Sequence, residues 1–84
     1  MKYTLKIIPK AQGDLNDIKG KDFDFIKRKI LFLSKNPRPF GCKKLTREEG
    51  YRIRSGSFRV LYRIDDSAKE VIIYRIKHRK EAYR

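Results

Sequence analysis

Tyr51-Arg52-Ile53-Arg54-Ser55-Gly56-Ser57-Phe58-Arg59-Val60-Leu61-Tyr62 is the stretch whose reading decides the fold. Tyr51, Ile53 and Ser55 alternate with Arg52 and Arg54, the period of a half-buried strand. Gly56-Ser57 supplies a two-residue turn in which glycine accepts a positive φ. Phe58, Val60, Tyr62 and Ile64 carry the alternation back. In that register Ser55 faces Phe58, Arg54 faces Arg59, Ile53 faces Val60 and Tyr51 faces Tyr62. Opposed residues share a face, so the apolar side chains fall on one side and Arg52, Arg54 and Arg59 on the other. Like charges set opposite each other destabilise a hairpin unless an anion neutralises them. The face is either a solvated arginine surface or an anion site. The lack of a carboxylate on it within the hairpin favours the anion site.

Outward from the hairpin, residues 2–8 alternate as a first strand, with Tyr3, Leu5 and Ile7 on one face. Pro9 suits the first position of a helix. Ala11, Leu15 and Ile18 at helical spacing predict a helix over residues 9–19, ended by Lys19-Gly20. Asp22 caps a second helix over residues 23–35, with Phe23, Ile26, Ile30 and Leu33 as its core stripe and Asn36-Pro37 as its stop. Phe25 and Phe32 lie off that stripe. They are expected to pack on the first helix, the alternative being an exposed patch for a partner. Residues 36–50 form a long connection carrying Lys43, Lys44 and Arg47. A third meander strand follows at about residues 70–77. With Ser67-Ala68-Lys69 as the loop, Ile64 faces Ile72, Tyr62 faces Tyr74 and Val60 faces Ile76, and Arg75 and Lys77 join the arginine face. The rival register aims those two cations into the core, which is costly. Lys77-His78-Arg79-Lys80-Glu81-Ala82-Tyr83-Arg84 forms a short basic tail or helical turn. The pattern is one α+β domain over residues 1–84, in the order β-α-α-β-β-β.

The composition narrows the partner. The 84 residues include 23 basic and 10 acidic ones, a net charge of +13. An excess of that size points to a polyanion, whereas a merely charged thermophilic surface raises lysine and glutamate together. No apolar run approaches the ~20 residues of a membrane span, and the start lacks a signal-peptide core. The lone Cys42 fits a reducing cytoplasm and reads as structural or incidental. One histidine and one cysteine give no spaced metal-ligand pair, and no cofactor motif or nucleophilic triad is present. What remains is the cationic face of Arg52, Arg54, Arg59 and Arg75, closed by a tail with His78, Arg79 and Tyr83. Arginine forks bind phosphate bidentately and stabilise the added charge of an in-line transition state. His78 can carry protons near neutral pH or simply cap the sheet end. Tyr83 can stack on a base or seal the edge of the core.

At Tyr51–Tyr62 and Ile76–Arg84 the chain resembles the RelE/ParE toxins of toxin–antitoxin systems, and the order of elements extends the likeness over nearly the whole chain. The resemblance implies a curved, mainly antiparallel sheet backed by a helical hairpin. It implies an acidic, RelB-like antitoxin that wraps and neutralises the toxin. For RelE-like members it implies a metal-independent endoribonuclease that meets mRNA and 16S rRNA in the ribosomal A site, where 2′-OH attack gives a cyclic phosphate. Arg59 and Arg79 match the family's phosphate-binding and acid-assisting arginines, and Tyr83 matches a base-stacking tyrosine. Arg52 and Arg54 stand where many members have lysines. Arginine cannot serve as a general base, so His78 or a carboxylate such as Glu49 takes that role, or catalysis is mostly electrostatic. Lys43, Lys44, Arg47, Arg75, Lys77 and Lys80 are expected as the supporting phosphate contacts. The ParE branch, a gyrase poison of the same fold, and a non-catalytic RNA-binding module are the rival readings.

The charge reading is testable directly. RNA or ribosome affinity is expected to fall steeply with salt through counterion release. Arg52→Ala is expected to lower the log–log slope by about 1. A salt-insensitive affinity would point to an apolar protein interface.

Overall fold

The hairpin forms in the register its sequence predicts. β3 (Tyr51–Ser55) and β4 (Phe58–Asp65) pair antiparallel with Ser55 opposite Phe58, Arg54 opposite Arg59, Ile53 opposite Val60 and Tyr51 opposite Tyr62. Gly56 takes φ +59, the left-handed region that a tight two-residue turn needs and that costs glycine little. The computed structural model describes residues 2–46 and 49–79.

The remaining elements are β1 (Thr4–Ile7), α1 (Pro9–Asn16), α2 (Lys21–Leu33), the short β2 (Lys43–Lys44) and β5 (Glu70–His78). They complete a five-stranded sheet in the order β1-β5-β4-β3-β2. β1 runs parallel to β5, and the other pairs are antiparallel. Both helices cover one face. Ala11, Leu15 and Ile18 from the first helical segment and Ile26, Ile30 and Leu33 from α2 close on Ile53, Val60, Tyr62, Val71, Ile73 and Ile76. Truncating a fully buried member such as Ile26 or Leu33 to alanine carries a cost of about 2–5 kcal/mol.

Local chemistry sets the helix ends. Ile8 is extended (φ −70, ψ 157) and Pro9 opens α1, since proline's missing N–H costs nothing at that position. α1 stops at Asn16 rather than at residue 19, yet Ile18 still reaches the core. Gly20, not Asp22, is the N-cap of α2; Asp22 and Asp24 lie in its first turn, where they favour the helix dipole. Ser34 donates its hydroxyl to the Leu31 carbonyl at 2.8 Å and helps close the last turn. Among the described residues no helix is long and apolar enough to cross a membrane.

β5 departs from both candidate registers by using each in turn. At the Gly56-Ser57 end of β4, Phe58 faces His78, Arg59 faces Lys77, Val60 faces Ile76 and Leu61 faces Arg75. Beyond a register shift between Leu61 and Tyr62, Tyr62 faces Ile73, Arg63 faces Ile72 and Ile64 faces Val71. Tyr74 is the extra residue of this bulge. The predicted pair Val60–Ile76 therefore holds, while Tyr62–Tyr74 and Ile64–Ile72 do not. Ile72 and Tyr74 turn to the open face, where the Arg63 guanidinium lies 5.3 Å from the Tyr74 ring centroid. The slip lets Val71 and Ile73 on one side of the bulge and Ile76 on the other all enter the core.

The long connection is tied down at several points. Tyr62, fully buried, donates its hydroxyl to the Pro37 carbonyl at 2.8 Å. Burial, and next the neighbouring Cys42, push that hydroxyl's pKa up. Arg38 clamps Asp66 with both terminal nitrogens, at 3.3 and 2.9 Å, and donates Nε to the Tyr51 hydroxyl at 3.2 Å. Tyr3 adds its hydroxyl to Asp66 at 2.7 Å. Arg38, and then Tyr3, hold the Asp66 carboxyl at about 2 instead of its ordinary 3.8. A depressed carboxyl pKa adds stability above the ordinary carboxylate range, and that contribution is lost as the pH falls through about 2. Gly50 takes φ +127, and a Cβ there would meet the Tyr62 carbonyl oxygen at 2.7 Å, so only glycine fits at the entry to β3.

Tyr62→Phe keeps the ring and removes the donor to a buried carbonyl. Its expected cost is about 1–3 kcal/mol in denaturant unfolding. A loss under about 0.5 kcal/mol, the range of a neutral surface change, would show that this bond does not hold the connection.

Candidate nucleic-acid interface

The helices leave the second face of the sheet open, and the hairpin register loads it with cations. Arg54 lies opposite Arg59, and Arg59 lies opposite Lys77, so three positive side chains form one rung across β3, β4 and β5. Lys43 pairs with Arg52 and extends the charge toward the edge. Lys44 pairs with Tyr51 instead and so belongs to the other face. Arg54 is exposed, whereas Arg52, Arg59 and Lys77 are half-buried.

At the end of that rung is a pocket of about 180 Å³ lined by Arg54, Gly56, Ser57, Phe58, Arg59 and Arg79. Arg79 reaches it because its backbone N–H donates to the Ser57 carbonyl at 2.6 Å, continuing the strand pairing by one residue. Three guanidiniums line this pocket and none of its lining residues is a carboxylate. The turn brings Arg54 and Arg59 together, and the end of β5 delivers Arg79 from a distant part of the chain. Ser57 and Phe58 are not among the residues expected in the site from the sequence. Their place between two candidate arginines at the turn was the available signal.

Three further candidates fall elsewhere. Arg75 does not join the cationic face. Its Nε donates to the Asp14 carboxylate at 2.8 Å, with the two side chains only 26% and 20% exposed. The bulge next to it turns it toward α1. His78 lies opposite Phe58, and the two rings meet edge to face with centroids 5.0 Å apart. It lines a separate pocket of about 320 Å³ with Asp14, Asp17, Ile18, Phe58 and Ile76, on the helix side. Phe58 thus stands between His78 and the arginine pocket. Glu49 lines a polar depression with Arg63, Asp65 and Asp66, apart from the arginine pocket. Arg47, Lys80 and Tyr83, with the predicted C-terminal turn, lie outside the described residues. No metal-binding group of His, Cys, Asp and Glu occurs among the described residues.

A second feature adjoins the first. Phe25, Phe32 and Phe40 are exposed (53%, 51% and 105%). The expected packing of Phe25 and Phe32 on α1 is therefore not found. With Arg28, Lys29, Ile53, Arg54, Ser55 and Gly56 they line a groove of about 730 Å³ between α2 and the edge of β3. β2 pairs only with Tyr51 and Arg52, so it leaves the Ile53–Ser55 part of that edge without a neighbouring strand among the described residues.

Comparison with known proteins agrees with this architecture. The family model for the ParE toxin of type II toxin–antitoxin systems, parDE, matches residues 5–83. Putative toxin RelE1 of Methanocaldococcus jannaschii is 34% identical over 88 residues, spanning 100% of this chain and 98% of the relative. Toxin RelG of Mycobacterium tuberculosis is 34% identical over 87 residues, spanning 100% and 99%. Among solved structures, the toxin–antitoxin complex RelBE2 of M. tuberculosis superposes with TM-score 0.82 at 32% identity, covering 94% of this chain and 100% of that one. The archaeal RelE–RelB complex from Pyrococcus horikoshii OT3 superposes with TM-score 0.82 at 26% identity, covering 94% and 97%. With two helices on one face of a mixed, mostly antiparallel sheet and relatives of that identity over its whole length, the chain belongs to the RelE/ParE family of type II toxin–antitoxin toxins.

Proposed function

We propose that this toxin is a ribosome-dependent endoribonuclease that cuts mRNA in the A site. The observation that carries the reading is the convergence of Arg54, Arg59 and Arg79 on one pocket. A scissile phosphate bound there receives bidentate guanidinium contacts. The substrate's 2′-hydroxyl gives its proton to water and its oxygen attacks phosphorus, the bond to the 5′-oxygen breaks, and that oxygen takes a proton from water, leaving a 2′,3′-cyclic phosphate and a 5′-hydroxyl. The transition state carries more negative charge on the phosphoryl oxygens than the substrate does. Fixed cations aimed at it lower the barrier without reorganising. His78 lies across Phe58 from this pocket, so the geometry favours the electrostatic option over a histidine base. Lys43, Arg52 and Lys77, on the same face, track the flanking backbone.

The partner follows from the groove. The related RelE–RelB and RelBE2 structures are toxin–antitoxin complexes, and this chain's apolar groove carries Arg28, Lys29 and Arg54 on its rim. An acidic antitoxin segment with apolar anchors fits that combination. Arg54 and Gly56 line both the groove and the arginine pocket, so a segment seated in the groove competes for a guanidinium that the phosphate needs.

The gyrase-poison reading has the ParE family match in its favour. Inducing the toxin in cells separates the two. Translation arrest with mRNA cuts at codon edges supports the nuclease, and replication arrest with gyrase-linked breaks supports the poison. On the ribosome, Arg59→Ala is expected to lower single-turnover cleavage about 10²–10³-fold, the cost of one transition-state donor, while shifting stability by only about 0.5 kcal/mol. His78→Gln is expected to keep most of the rate. Full activity in Arg59→Ala would remove this residue from the site.

For the partner, Phe25→Ser with Phe32→Ser is expected to abolish antitoxin binding while the toxin remains folded, because both rings are already half in water. Calorimetry with the cognate antitoxin measures it. Unaltered affinity would place the antitoxin on another surface.

A further inference from the structure

β1 supports only half of β5. Its pairing runs from Thr4–Glu70 to Ile7–Ile73, and the last contact is the Ile8 N–H to the Ile73 carbonyl at 3.1 Å. There Pro9 turns the chain into α1. The outer edge of β5 continues past the bulge to His78 with no strand beside it among the described residues. One carboxylate stands in the strand's place. Asp14 Oδ2 accepts the backbone N–H of Ile76 at 2.9 Å and the Nε of Arg75 at 2.8 Å. Ile76 is 4% exposed, so losing that acceptor leaves a buried N–H unsatisfied.

We propose that Asp14 is a positioning residue for the arginine pocket: from α1 it pins the far half of β5 and thereby aims Arg79 at a phosphate held by Arg54 and Arg59. The inference rests on the phosphate-binding reading of that pocket. Its geometry is short and direct. The pinned Ile76 N–H is three residues before Arg79. On the inner side β4 holds Lys77 and His78 opposite Arg59 and Phe58, and Ser57 takes the Arg79 N–H. On the outer side Asp14 accepts the one edge N–H, that of Ile76, and pairs with the Arg75 side chain beside it. Bulges re-aim side chains but weaken the ladder where they occur, and this one falls at Tyr74, immediately before the pinned pair. Without Asp14 the segment from Ile76 onward is a strand end held on one side only, the kind of element that opens locally. Arg79 then leaves the pocket while Arg54 and Arg59, fixed by the hairpin, remain.

The test uses the full chain with inorganic phosphate as the probe and the arginine Nε–H resonances as the readout. In the wild type, phosphate is expected to shift the signals of Arg54, Arg59 and Arg79 together. In Asp14→Ala the Arg79 response is expected to vanish while the other two persist. Asp14→Asn, which keeps a side-chain acceptor oxygen, is expected to restore it. An Arg79 response in Asp14→Ala equal to that of the wild type overturns the proposal. So does a wild-type Arg79 that ignores phosphate, which also removes the pocket reading. If Asp14→Ala unfolds, the Asp14→Asn spectrum decides alone: an Arg79 response supports the pin, and its absence in a folded Asp14→Asn overturns it.

Cleavage on programmed ribosomes gives an independent arm. Asp14→Ala is expected to lower the single-turnover rate about 10²-fold, as a small misplacement of a reacting group does, with ribosome affinity unchanged. In an Arg79→Ala background the same substitution is expected to add little, since both act through one group. Additive losses overturn the positioning role. A wild type that cuts no RNA refutes the nuclease reading and leaves the phosphate spectra to judge the pin.

Discussion

One extra residue in β5 governs most of this structure. Tyr74 has no counterpart on β4, and the register slips by one residue at that point. A regular strand would face a choice of penalties. With the Tyr62–Ile73 register kept throughout, Arg75 and Lys77 would enter the core. With the Val60–Ile76 register kept throughout, Val71 and Ile73 would leave it. Because side chains alternate every residue, no regular strand avoids both. The bulge does, and it also sets Lys77 beside Arg59 and carries Arg79 to the hairpin turn.

The charges sort by position. Among the described residues, three carboxylates form ion pairs within the scaffold: Glu70 with Lys6, Asp66 with Arg38 and Asp14 with Arg75. They tie β1 to β5, the long connection to the β4–β5 turn, and α1 to the edge of β5. None of them lines the arginine pocket. A rung of Arg54, Arg59 and Lys77 on neighbouring strands repels itself. An anion that binds there relieves the repulsion and so stabilises the fold by mass action.

The site is assembled from rigid and less rigid parts. Arg54 and Arg59 stand on a hairpin whose apolar face is packed in the core, whereas Arg79 depends on the last bonds of β5. The groove beside them is walled by exposed phenylalanines from α2 and the connection. An apolar surface of that kind beside a cationic pocket suits a partner that must cover both.

The sequence by itself determined the elements that depend on local period and turn chemistry. Gly56-Ser57 and the alternation around it set the hairpin register residue for residue. The spacing of Ile26, Ile30 and Leu33 set the buried stripe of α2. The opposition of Arg54 to Arg59 followed from the turn alone. Tertiary structure decided what sequence spacing does not encode. Whether Phe25 and Phe32 are covered depends on where α1 packs, and α1 packs against β5. The two-residue β2 is too short to have a period. The bulge is set by competition among Val71, Ile73 and Ile76 for one core, and beside it Arg75 turns from the arginine face to Asp14 on α1, while His78, opposite Phe58, keeps the apolar side that alternation gives it. Asp14 reads in sequence as a polar residue on a short helix. It becomes a strand's substitute only because β1 ends at Ile7 opposite Ile73 while β5 runs on to His78, and a buried N–H must find an acceptor.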